Sequence, residues 1–85
     1  KIINIHPSLL PKYKGLNTFQ RVLKFKEKFT GCTVHYVDEK LDSGRIIIKR
    51  TIPINNNDNT STLKKKVQFE EYKAYSNAIR KIFQI

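Results

Sequence analysis

The sequence predicts an α/β fold with the element order β, loop, α, β, β, α. Three observations carry this prediction. An apolar stretch at the amino terminus ends abruptly in Asn4-Ile5-His6-Pro7. Two β-branched, apolar runs follow one another closely in mid-sequence. A long carboxy-terminal segment keeps apolar residues three and four apart, the period of a helix with one buried face.

Each element has its own signal. Residues 1–5 read as a short buried strand that is already under way at Lys1, which points to a fragment or to the second half of a larger domain. Residues 6–16 form a loop punctuated by Pro7, Pro11 and Gly15, with a tight turn at Pro11 where a cis bond is tolerated. Asn17 or Thr18 caps a helix to about Phe29, with Phe19, Val22 and Leu23 inward. Gly31 ends the link, and Cys32 to Val37 has strand composition. The polar connection DEKLDSG, Asp38 to Gly44, leads to a strand from Arg45 to Ile54. Its continuous Ile46-Ile47-Ile48 suggests cover on both faces, and Pro53 marks its end or an edge. After the asparagine-rich loop at 55–59, Thr60 caps a last helix from about Ser61 to Phe83, with Leu63, Val67, Ala74, Ala78 and Ile82 inward.

At 85 residues the chain is one domain at most. Seventeen basic against seven acidic residues give a net charge of +10, which favours anionic partners. The basic residues are scattered, however, and the run Lys64-Lys65-Lys66 reads as a solvated helix face, so nucleic acid is not the favoured partner. The single cysteine, Cys32, forms no internal disulfide, in keeping with a reducing compartment. The longest apolar run is far too short to span a membrane. These features read together as a cytoplasmic chain without a membrane partner.

Three places carry chemistry. On a strand, residues i and i+2 share a face, so Asn4 and His6 point the same way if the strand lasts to His6. They supply an oxyanion donor beside a proton-transferring ring, or else ordinary strand-end polarity. Asp42, in Leu41-Asp42-Ser43-Gly44, is either a turn residue or the carboxylate that holds a histidine charged. His35 lies mid-strand and reads as a half-buried sheet residue. His6, His35, Cys32 and Asp42 lack the spacing of zinc ligands, so no metal is expected. There is no glycine-rich phosphate loop.

Taken together, INIHPSLLPKYKGLNT, GCTVHYVDEKLDSG and VQFEEYKAY resemble the carboxy-terminal half of the phosphoribosylglycinamide formyltransferase family. The similarity runs from Ile3 to about Ile79. It implies a Rossmann-like formyltransferase fold whose amino-terminal half is missing, so that residues 1–85 are a partial domain holding the folate-binding and catalytic half. It implies formyl transfer from 10-formyltetrahydrofolate to the amine of glycinamide ribonucleotide in purine biosynthesis. The family's catalytic trio falls on Asn4, His6 and Asp42. Folate contacts fall on His35, Val37, Asp38, Glu39 and Leu41, and a ribonucleotide contact on Glu71, with Glu70 the neighbour if the register slips by one. The missing half, or a second copy in a homo-oligomer, is the implied partner. Two alternatives stand beside this reading: a truncated remnant without activity, and a relative of the methionyl-tRNA formyltransferases.

Overall fold

A computed structural model describes residues 2–84. Lys1, placed by sequence in the first strand, lies outside them. Three antiparallel strands form one sheet in the order β1 (Ile3–His6), β2 (Phe29–Tyr36), β3 (Ile46–Pro53). The helices are α1 (Thr18–Lys24) and α2 (Thr60–Phe83). The element order is the expected one. Several boundaries move, each for a local reason.

The first helix stops at Lys24, not near Phe29. Lys26 adopts a left-handed backbone, φ 53°, and closes the helix end with two bonds: its own N–H to the Leu23 carbonyl, and Glu27 N–H to the Val22 carbonyl. This pair is the Schellman closure, built here on a lysine instead of the usual glycine. β2 therefore begins at Phe29, and Gly31 lies inside it instead of in a link. A Cβ at Gly31 would sit 1.9 Å from the Arg50 carbonyl oxygen across the ladder. The close approach of the backbones requires the missing side chain.

The three isoleucines of β3 are not covered on both faces: Ile47 is buried, Ile48 half-buried and Ile46 exposed. β3 is an edge strand with a solvated side, and Pro53 stands at its end. α2 starts one residue early. Asn59, not Thr60, is the cap; its side chain accepts from Thr62 N–H while the Thr62 hydroxyl accepts from Asn59 N–H. The helix buries Leu63, Val67, Ala74 and Ala78 completely, as their spacing predicts.

Strand alternation divides the sheet into two chemically different faces. Cys32 and Val34 of β2, with Ile3, Ile5 and Ile47, pack against Val67, Ala74 and Ala78 of α2. On the opposite face Asn4 stands across from His35, and His6 across from Thr33. β2 is buried on both sides: Cys32, Thr33 and Val34 are inaccessible and His35 nearly so. Thr33 anchors the 7–12 loop over this second face. Its hydroxyl donates to the Ser8 carbonyl (2.7 Å) and accepts from Leu10 N–H (3.1 Å). The Leu10–Pro11 bond is cis.

Candidate active site

The site grows out of the second face of the sheet. β1 continues through His6, so Asn4 and His6 do share a side, and both lie beside β2 residues of the same side. Asp42 reaches them from the hairpin connection between β2 and β3. That connection is shaped by Asp38, whose Oδ1 accepts from Lys40 N–H (2.8 Å) and the Ser43 hydroxyl (3.1 Å). It is drawn tight at Gly44, where a Cβ would fall 1.6 Å from the Tyr36 carbonyl oxygen. Asp42 itself takes a left-handed backbone, φ 49°, a conformation that Asp tolerates better than most residues.

The resulting geometry joins residues far apart in sequence. Asp42 Oδ2 lies 3.3 Å from His6 Nδ1, with both side chains about nine-tenths buried. The same oxygen accepts Gly15 N–H at 2.9 Å. His6 Nε2 stands 2.8 Å from the Tyr13 carbonyl. A carbonyl only accepts, so Nε2 carries the proton. His6 Nδ1 faces the Asp42 carboxylate at ion-pair distance. His35 Nε2 is 3.9 Å from Asp42 Oδ1, just beyond hydrogen-bond distance, and is buried without a hydrogen-bond partner. Its Nδ1 lies 3.0 Å from the Tyr36 carbonyl.

In front of this cluster lies a cavity of about 360 Å³ lined by Asn4, His35, Val37–Leu41 and Asp42. It gathers the expected residues Asn4, His35, Val37, Asp38, Glu39, Leu41 and Asp42 into one place. Val37 and Leu41 are exposed apolar side chains at its rim. His6 stands behind Asp42 and lines instead a neighbouring cavity of about 560 Å³ with Gly15, Thr18, Thr60 and Lys64. Glu71 is not brought to the trio. It lies across the sheet, in a 720 Å³ groove that β1 enters through Ile5, with Tyr72 and Tyr75. Burial pushes its carboxyl above the usual range. Glu70 is engaged by Arg50 (2.7 Å), which holds its carboxyl below the usual range.

Sequence reasoning missed Tyr13, Gly15 and Thr33. The first two act on the site through backbone groups, and Thr33 acts from inside a strand that reads as structural. No residue-type signal marks such roles. Among the described residues no cluster of three His, Cys, Asp or Glu is placed to hold a metal ion, and no helix is long and apolar enough to cross a membrane.

A buried carboxylate 3.3 Å from one imidazole and 3.9 Å from another, at a cavity that an amide also lines, is an arrangement able to carry acid–base chemistry. Known proteins narrow the class. The formyl transferase family profile matches residues 1–79, and the chain belongs to that family. It is 42% identical over 80 residues to phosphoribosylglycinamide formyltransferase of Haemophilus influenzae, covering 94% of this chain and 38% of that protein. It is 44% identical over 80 residues to the trifunctional purine biosynthetic protein adenosine-3 of Chironomus tentans, covering 94% of this chain and 6% of that one. The crystal structure of phosphoribosylglycinamide formyltransferase from Anaplasma phagocytophilum superimposes with a TM-score of 0.95 at 42% identity, over 99% of this chain and 41% of that chain. The chain thus spans about two fifths of the length of the single-activity relatives it matches.

Proposed function

We propose that this chain is the catalytic part of a phosphoribosylglycinamide formyltransferase. In this reading it moves a formyl group from 10-formyltetrahydrofolate to the amine of glycinamide ribonucleotide, once the rest of the domain is supplied. The observation that carries it is Asp42, which lines the cavity with Asn4 and His35 and lies 3.3 Å from His6 behind it. That arrangement suits the chemistry. The amine attacks the formyl carbon, so a nitrogen–carbon bond forms while the carbon–nitrogen bond to the folate breaks, and negative charge grows on the formyl oxygen. The Asn4 amide donates a hydrogen bond to that oxygen, and the His6 imidazolium adds positive charge beside it. Asp42 takes the proton from the attacking amine and returns it to the departing folate nitrogen. Val37 and Leu41 offer apolar surface to the pterin ring, with Asp38 and Glu39 polar contacts at its edge.

Glu71 belongs to the same proposal as a ribonucleotide contact, reached from the far side of β1. The outer edge of β1 pairs with no strand among the described residues. We propose that the rest of the domain docks there, as further chain or as a second polypeptide.

The test supplies that part. The chain is mixed with, or fused to, the complementary portion of a relative, and formyl transfer to glycinamide ribonucleotide is measured. Transfer is expected from the pair and from neither piece alone. His6→Ala should lower it roughly 10²–10³-fold, on the scale of losing one electrostatic partner of a developing oxyanion. Equal rates for His6→Ala and the parent pair would reject the assigned role. No transfer, together with no micromolar binding of a folate analogue in a calorimetric titration, would favour an inactive remnant. Salt-sensitive retention of tRNA would favour the tRNA-directed relative instead.

A further inference from the structure

We propose that Tyr13, clasped by Glu27, is a positioning residue that sets the orientation of His6 and Asp42. In the loop from Pro7 to Asn17 the backbone turns at Tyr13 and Gly15, both with positive φ (57° and 84°). From this one turn two backbone groups enter the site. The Tyr13 carbonyl holds His6 Nε2 at 2.8 Å, and Gly15 N–H holds Asp42 Oδ2 at 2.9 Å. Backbone groups have no rotamers of their own. Where they sit is decided by whatever fixes the turn.

What fixes it lies outside the site. The Tyr13 hydroxyl donates to Glu27 Oε2 at 2.7 Å, and Lys12 Nζ reaches the same oxygen at 3.0 Å. The Arg21 guanidinium lies 5.5 Å from the centre of the Tyr13 ring and donates to the Lys14 carbonyl. Phe25 stands 6.3 Å from the same ring. The Glu27 carboxylate is held below its usual range by its hydrogen bond from Tyr13 and then by Lys12. Glu27 is itself aimed by the helix end, where the left-handed Lys26 turns the chain and Glu27 N–H bonds the Val22 carbonyl. The path therefore runs from the end of α1, through one carboxylate and one phenol, to both members of the acid–base pair.

The catalytic value of this device rests on the proposed transfer reaction, but the geometric part does not. The test reads the His6 ring directly. Nitrogen-15 spectra of the full chain report the protonation and hydrogen bonding of both His6 ring nitrogens, with His35, which faces Asp42 but not the Tyr13 carbonyl, for comparison. Tyr13→Phe and Glu27→Ala are expected to shift the His6 Nε2 resonance away from its hydrogen-bonded value, and to move the His35 resonances less, through Asp42 alone. Glu27→Gln keeps an oxygen that accepts from the phenol, so it should restore the parent spectrum. A clasp that merely stabilised the loop would lower the melting temperature and leave both rings alike. Unchanged His6 resonances in folded Tyr13→Phe and Glu27→Ala would overturn the proposal. Should either variant fail to fold, Glu27→Asp, which shortens the same arm by one methylene, carries the same comparison. Failure of formyl transfer in the completed domain would leave this result untouched.

Discussion

The cap of α2 offers the sharpest quantitative test of the fold. Asp58 sits one residue before the Asn59 cap. Its Oδ2 accepts from Lys66 Nζ (2.6 Å) and Asn55 N–H (2.9 Å), and its Oδ1 accepts from the Thr62 hydroxyl (2.8 Å). An acid before a helix N-terminus also meets the positive end of the helix dipole. The hydrogen bond from Lys66 first, then that from Asn55 N–H, holds the carboxyl at about 2, against 3.8 for a free side chain. At full strength such a lowering is worth about 2.5 kcal/mol. Lys66 is about one third exposed, so water screens the pair, and we expect about 1.5 kcal/mol. For a domain of this size that corresponds to a fall of roughly 9 °C in melting temperature for Asp58→Ala. The sign with pH is fixed by the direction of the shift. A lowered carboxyl stabilises the folded state above its unfolded value near 4, and that stability is lost as pH falls from about 4 towards 2. Thermal melts by circular dichroism, parent against Asp58→Ala, should show the full difference at pH 6.5 and a shrinking one at pH 4 and 3. A difference that is below about 2 °C at pH 6.5, or that stays constant down to pH 3, would refute the assigned charge interaction.

Three further outcomes follow from the geometry. Gly31→Ala and Gly44→Ala each drive a methyl into a carbonyl oxygen, at 1.9 and 1.6 Å; both should destabilise by about 3 kcal/mol or more in denaturant melts. The buried Cys32 thiol is pushed up to about 11, first by burial and then by Glu71. A thiol reagent at pH 8 should therefore modify it only at the rate of unfolding, and fast labelling of the folded chain would contradict its burial. In the completed domain Asp42→Asn keeps an oxygen for Gly15 N–H but loses the proton carrier. Transfer should fall by about 10²–10⁴-fold with the fold intact, as read by rate and by melting temperature together.

How much of this was legible depends on whether a feature is carried by side-chain pattern or by backbone. The order of elements, the inward face of α2 and the shared side of Asn4 and His6 all follow from periodicity. The end of α1 was not legible because a lysine, Lys26, occupies the left-handed position where a glycine would have announced it. Gly31 misled for the converse reason. A glycine reads as a break, yet here it lets β2 and β3 approach inside the ladder. Ile46-Ile47-Ile48 suggested a covered strand, but an edge strand keeps one side in water, and composition does not reveal strand order. The residues left Asp42 open, as a turn residue or as the carboxylate beside a histidine, and the family resemblance put it in the trio. Leu41-Asp42-Ser43-Gly44 reads as a turn, and it is a turn; that the turn folds back onto β1 is a tertiary fact. Gly15 was legible as a loop residue, but its bond to Asp42 and that of Tyr13 to His6 were not, because any residue offers a carbonyl and almost any an amide.

The division of the sheet into two faces explains how so short a segment gathers Asn4, His6, His35 and Asp42 on one side. β1 has four residues, and their alternation assigns Ile3 and Ile5 to the α2 side and Asn4 and His6 to the other. A register slip of one residue would exchange these sets, burying an amide and an imidazole against Val67 and Ala78 and presenting isoleucines to the cavity. The slip is opposed from both sides at once. Apolar burial against α2 holds the odd residues, and the hydrogen bonds of His6 to Tyr13 and of Thr33 to Ser8 and Leu10 hold the even side. The same contacts that fix the strand therefore fix the ring, and the site's precision comes from fold-level register instead of from any local motif.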